Sequence, residues 1–333
     1  MALVSLGDLA QSFLLRRQTT VLKSDMQRLS TELTTGQVVD LAARVSGDLG
    51  PISGIDASLA RLQGYATVTT EAGLFASTMQ TALAVVDDTA QELAVSLTSA
   101  SSETGTARVD DVAHVARQGL ETALTALNTR VGDRAVFAGT RSDGSAVTDA
   151  ETLLQALEVA TAGAATADDV ATAVSAWFRA PDGYASAGYL GGLPLAGLAV
   201  AAGEEVQMDM TAADPALRDT LEGLALAALM DRGVLAGQPA ARKALAGQAG
   251  ALLLQSQTGR TRTAEHLGMA EAQIDAAASR NAAEADALAL ARNDLTAVDP
   301  YDTATRLQEA ESQIALVYAV TARMSRLSLL DYL

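Results

Sequence analysis

Apolar residues recur every seven positions at both ends of the chain. Leu15, Leu22 and Leu29 make one series, with Met26 and Leu33 four residues beyond the last two. Leu307, Ile314, Val317 and Met324 make another, continued by Leu327 and Leu330. A seven-residue repeat draws a narrow stripe down a helix, and such a stripe needs a partner helix. The spacing predicts one helix from about Asp8 to Thr35, ended by Gly36, and another from about Asp302 to Leu330, opened after Asp299-Pro300. These two predicted helices pair with each other, and their eleven stripe residues are the candidate assembly interface.

Between the ends, a long helix is predicted to begin near Pro51. Ile55, Leu62, Ala76, Leu83, Ala90 and Leu97 keep one heptad register on it, with Met79, Val86 and Leu93 beside them. At ~1.5 Å per residue, ~45 residues make a rod of roughly 70 Å. The polar stretch Ser99–Gly105 breaks it, and a third helix carries Val112, Leu120, Leu124, Leu127 and Val131 on one face. From Gly132 the pattern turns mixed. Ala135–Thr140 is β-prone, Ser142–Ser145 is a turn, Asp149–Val159 and Ala167–Phe178 read as helices, and Val206–Met210 alternates as a strand does. Helical spacing returns at Leu217, Leu221, Leu224 and Leu229, and a long helix is predicted over Arg242–Leu295.

The fold class expected is therefore mainly α with a small α+β or β-rich insert: a long antiparallel helical hairpin with its terminal helices paired. We divide it into an N-terminal coiled-coil helix (1–48), rod helices (49–139), a solvent-facing insert (140–215), returning rod helices (216–296) and a C-terminal coiled-coil helix (297–333). Heptads within 51–131 and 216–295 read as bundle contacts inside one molecule. Those of the two ends, a thin pair of helices, read as a surface that must find neighbours.

Composition narrows the classes of function. The 333 residues are 49% hydrophobic but only 3% aromatic, which suits closely packed helices of small side chains. A net charge of −17 disfavours nucleic acid. The acidity is concentrated: 149–222 holds twelve acidic residues against Arg179 and Arg218, whereas the first sixty residues are nearly balanced. With no cysteine, disulfides and thiolate ligands are excluded. No run of eighteen apolar residues predicts a membrane span, and the N-terminus lacks the basic–apolar–small pattern of a cleaved secretion signal.

Catalytic signals are sparse. His114 and His266 stand alone, and no HExxH motif, phosphate-binding loop or nucleophile elbow is present. Asp168-Asp169 and Glu204-Glu205 are neighbours in sequence, so their side chains point apart and read as solvated faces. Asp143-Gly144 with Asp149 lacks the ligand ladder of a calcium loop and reads as a turn. Gly188, Gly191 and Gly192 read as flexible turns, Trp177 and Phe178 as anchors of the insert's core, and Tyr301, Tyr318 and Tyr332 as packing on the helical seam. Catalytic residues, metal ligands and cofactors are all expected to be none.

Four segments resemble a known family. Leu29-Ser-Thr-Glu-Leu-Thr-Thr-Gly36 resembles a turn near the start of flagellins and their axial relatives, and Val136-Phe-Ala-Gly-Thr140 is similar to the strand where those proteins leave the rod. Arg326-Leu-Ser-Leu-Leu-Asp-Tyr-Leu333 looks like the ending of the hook–filament junction branch, as does the central stretch Tyr189–Met210. Filament flagellins carry an Asn-Ser-Ala-x-Asp-Asp-Ala-Ala-Gly stretch after the first helix. Here that region reads Gln37-Val-Val-Asp-Leu-Ala-Ala-Arg-Val-Ser46, a departure that favours the junction branch.

The resemblance implies a non-enzymatic structural subunit of the bacterial flagellum, self-assembling, extracellular and exported without a cleaved signal peptide. Its implied partners are copies of itself in a ring, another hook-associated protein on the hook side, flagellin on the filament side, and an export chaperone at the C-terminal helix. A filament flagellin is the nearest alternative. A hydrolase or glycan-binding protein acting through 140–215 is the alternative from another class.

Overall fold

A computed structural model describes residues 6–103 and 107–330. The chain is mainly helical, in the order α1 (Leu6–Thr35), α2 (Leu41–Arg44), α3 (Gly50–Ser102), α4 (Ala107–Leu127), β1 (Arg130–Val131), β2 (Arg134–Ala135), α5 (Ala150–Ala160) and α6 (Ala167–Arg179). A five-residue π-helical turn follows at Tyr184–Gly188, then β3 (Leu198–Ala201), β4 (Glu204–Val206), α7 (Pro215–Asp231), α8 (Pro239–Thr296) and α9 (Pro300–Leu330). The strands form two antiparallel pairs, β1 with β2 and β3 with β4. The chain divides into two compact units, Met1–Arg61 with Ala283–Leu333, and Leu62–Ala282.

In the first unit α1 and α9 pair antiparallel: Gln37 bridges Ala297, Met26 and Leu307 line one groove, and Lys23 lies over the Tyr318 ring. Helix α1 stops because Gly36, at φ +71°, takes the left-handed conformation after the last turn, and its N–H returns to the Glu32 carbonyl at 2.8 Å. Helix α9 starts at a proline, with Asp299 Oδ1 accepting from the N–H groups of Tyr301 at 2.8 Å and Asp302 at 3.2 Å.

In the second unit both heptad registers of α3 face inward. Leu62, Ala76, Met79, Leu83, Val86, Ala90, Leu93 and Leu97 are all buried. Small residues let the helices approach closely. A side chain at Gly250 of α8 would press on the Thr98 hydroxyl of α3, and one at Gly223 of α7 would strike Leu253 of α8. Helix α7 is the centre of this unit, with Leu217 and every residue from Thr220 to Met230 buried. The insert helices add Leu153, Leu154, Leu157, Val170, Val174 and Phe178 to the same continuous core. Tyr184 closes it, stacked on Phe178 with ring centroids 5.3 Å apart and its hydroxyl donating to the Ala212 carbonyl at 2.8 Å. Burial pushes that phenol well above its usual range.

Three local expectations change. Val131 lies in β1 rather than on the face of α4. The helix ends earlier because the Asn128 side chain pairs with the Val147 backbone, donating to its carbonyl at 3.0 Å and accepting its N–H at 2.9 Å. Of Ala135–Thr140 only Ala135 is in a strand. The alternation at 206–210 is real in burial, since Val206, Met208 and Met210 point inward, but β4 ends at Val206. Alternating burial needs only a surface to lie on, whereas a strand needs a hydrogen-bonded neighbour.

Candidate assembly interface

Nine of the eleven expected stripe residues on the paired terminal helices have described side chains, and they lie at graded depth. Leu29 is buried, while Leu15, Leu22, Met26, Leu307, Ile314, Val317 and Met324 are half-buried. Leu33 is exposed, off the seam. Leu327 and Leu330 lie on α9 past the last described side chain, and the closing residues Asp331-Tyr-Leu333 lie outside the described residues, so no side-chain statement covers the ending motif.

The half-burial has a physical cause. Two helices alone can cover each stripe from one side only, so the seam residues keep an open flank. Beside Met26, Gln27, Ser30 and Thr31 of α1 and Leu307 and Glu311 of α9, that flank is a groove of about 500 Å³. More apolar surface lies outside the seam. Phe13 (67% exposed), Leu14 (60%) and Val21 stand out on α1, and Leu316 (65%), Tyr318 and Val320 on α9. Apart from Tyr318, these residues were not among the expected interface; Tyr318 and Tyr301, expected to pack on the seam, are exposed instead. The signal was present one position off the seam, in the seven-residue step from Leu14 to Val21 and the four-residue step from Leu316 to Val320. Burying each such side chain in a neighbour contributes about 1.5–3 kcal/mol.

At the root of the pair the two chains are stitched by backbone. Val38 N–H donates to the Thr296 carbonyl at 2.8 Å, and Val298 N–H to the Gly36 carbonyl at 3.1 Å. Thr296, Thr303 and Ala310 are buried here. Arg292 Nε, one turn earlier, bonds Asp56 at 2.6 Å and fixes α8 to the start of α3 within the same unit.

The other candidate residues are occupied locally. His114 Nδ1 is 3.4 Å from one Asp231 carboxylate oxygen, and Arg117 Nε is 2.8 Å from the other. His266 is exposed. Asp169 forms a capping box with Thr166, and these hydrogen bonds hold its carboxyl below the usual range, while Asp168 accepts from Gln248. Glu204 pairs with Arg280, and Asp149 caps α5. Trp177 and Phe178 meet edge to face, 5.1 Å between centroids. Among the described residues no three His, Asp or Glu side chains are grouped to hold a metal ion, and no helix is long and apolar enough to cross a membrane.

Comparison with known proteins bears on the same terminal element. No curated protein matches the chain. Residues 254–333, the second part of α8 with all of α9, match the bacterial flagellin C-terminal helical region. That family is structural and non-enzymatic, and the match supports a flagellin-like axial protein: a self-assembling, extracellular subunit of the bacterial flagellum.

Proposed function

We propose that this chain joins hook to filament in the bacterial flagellum, in the role of flagellar hook-associated protein 3. The observation that carries the assembly part is the apolar surface left open on α1 and α9, at Phe13, Leu14, Leu316 and Val320 outside a seam that is itself half-covered. Exposed apolar side chains clustered on one element are the kind of surface a partner covers. Copies of the chain bury it laterally and close into a ring. The junction part rests on the ending Arg326–Leu333 and on the Gln37–Ser46 stretch that departs from filament flagellins. The partners are another hook-associated protein on one side and flagellin on the other, with an export chaperone holding α9 before assembly. Export proceeds without a cleaved signal peptide. The terminal helices form the inner layer, 49–139 with 216–296 the rod, and 140–215 faces solvent with its acidic surface.

Deleting the gene tests this. The expected result is bare hooks with flagellin shed into the medium. Hooks carrying normal filaments overturn the junction role, and hooks with intact junction proteins but no flagellin synthesis favour the filament-subunit reading. A chain lacking 326–333 is expected to stay folded and fail to restore motility.

A further inference from the structure

We propose that Glu32 is a positioning residue that pins the register of the α1–α9 seam. The seam has a register problem. Leu15, Leu22 and Leu29 repeat every seven residues on one side, and Leu307 and Ile314 do so on the other. Sliding one helix by a heptad puts Leu against Leu or Ile again, so apolar packing alone separates the registers weakly. A shared buried polar contact is what makes one register unique in such seams.

Glu32 does this at one remove, since its own partners lie on α1 and on the turn that follows it. It is the one acidic residue buried in this unit among the described residues, 5% exposed at the last turn of α1. Its Oε1 accepts the Val39 N–H at 3.1 Å, across seven residues and around the Gly36 turn. Arg28 Nη1 donates to both carboxylate oxygens at 3.3 Å, and Asp25 accepts from the other Arg28 nitrogen, so the charge is compensated from one side only. The Val39 bond folds segment 36–39 back against α1. In that position Gly36 offers its carbonyl to Val298, and Val38 its N–H to Thr296. The pin therefore works through Val39: carboxylate to turn, turn to the α8–α9 joint. A slipped α9 gives up both backbone bonds, whereas a chain without the carboxylate keeps only the Gly36 N–H to the Glu32 backbone carbonyl and the Thr35 hydroxyl to hold the turn, and loses the bond that fixes Val39.

The proposal rests on reading the terminal helices as the assembly element, but it is tested inside one molecule, so the two can fail separately. The chain has no cysteine, so Gln18→Cys on α1 and Thr305→Cys on α9, both exposed, give two unique sites for spin labels. Offset along the seam, they report axial sliding, and a one-heptad slip moves them by about 10 Å. The expected result is a single narrow distance in the full-length parent and in Glu32→Gln, whose amide oxygen still accepts the Val39 N–H. Glu32→Ala is expected to add a second population displaced by that step, with faster exchange of the Val38 and Val298 amides. Unfolding of residues 62–282 should not change. A single unshifted distance in Glu32→Ala overturns the pin, as does a broad distribution in the parent. If Glu32→Ala melts the seam outright, Glu32→Gln decides: parent-like distances support the pin and broadening overturns it.

Discussion

Arg260 of α8 shows how a single side chain can hold three helices. It is 5% exposed, its Nε 2.6 Å from Asp87 on α3, and its Nη1 donates to Ser256, to the Leu253 carbonyl and to Thr220 of α7. The two ends of the ion pair are unequal, because Asp87 keeps 40% of its side chain in water. Removing the carboxylate leaves a buried cation without its counter-charge. Asp87→Ala is therefore expected to cost about 3 kcal/mol in urea unfolding. Arg260→Met should cost less, since Asp87 can be solvated and both hydroxyls keep their own carbonyl partners. Acid sensitivity also starts at single residues. Asp149 accepts from the Thr152 N–H and hydroxyl, and these bonds hold its carboxyl below the usual range. Its folded pKa is lowered, so its contribution is complete above the unfolded carboxylate value near ~4 and disappears as pH falls through the folded value. Asp149→Asn keeps a cap and is expected to flatten the acid limb of the stability–pH curve below about pH 4.

At the scale of elements, the terminal pair carries two apolar surfaces with different tasks. The seam holds α1 to α9, and the outer residues are left exposed. Leu14→Asp with Leu316→Asp is expected to abolish polymer formation in a sedimentation assay while leaving the thermal unfolding of residues 62–282 unchanged. Polymerisation at the parent's concentration would show that these side chains meet nothing. What was legible here followed from spacing. The heptads of α3 announced its buried face because, apart from the buried Thr69, the residues on that face are apolar and the period is regular. Glu32 was not legible: in sequence it is one more acidic residue four after an arginine, and only the chain reversal at Gly36 buries it. The end of α4 was hidden for a similar reason, since Asn128 pairs with Val147, nineteen residues away. The outer stripe was readable but was masked by the stronger repeat next to it.

For the whole molecule, the order of the long helices was written in the periodicity, the four-residue α2 was not, and the match over 254–333 agrees with the broad resemblance to flagellins and their axial relatives. The insert was harder to read. Its residues were expected to make a small core of their own, yet Leu153, Val170, Val174 and Phe178 join the core of the long helices through α7. Composition cannot reveal this, because a hydrophobic side chain has the same sequence signature whichever core it enters. Helix α7 has water on almost no side, and the insert supplies part of its cover. An engineer who wants to shorten this protein therefore cannot excise 140–215 as a cassette, for the cut would leave a bare greasy cylinder prone to clumping. A reporter peptide belongs instead at Ala202-Gly203, the exposed tip of the β3–β4 hairpin, where the backbone already turns and no atom outside the turn crowds the glycine.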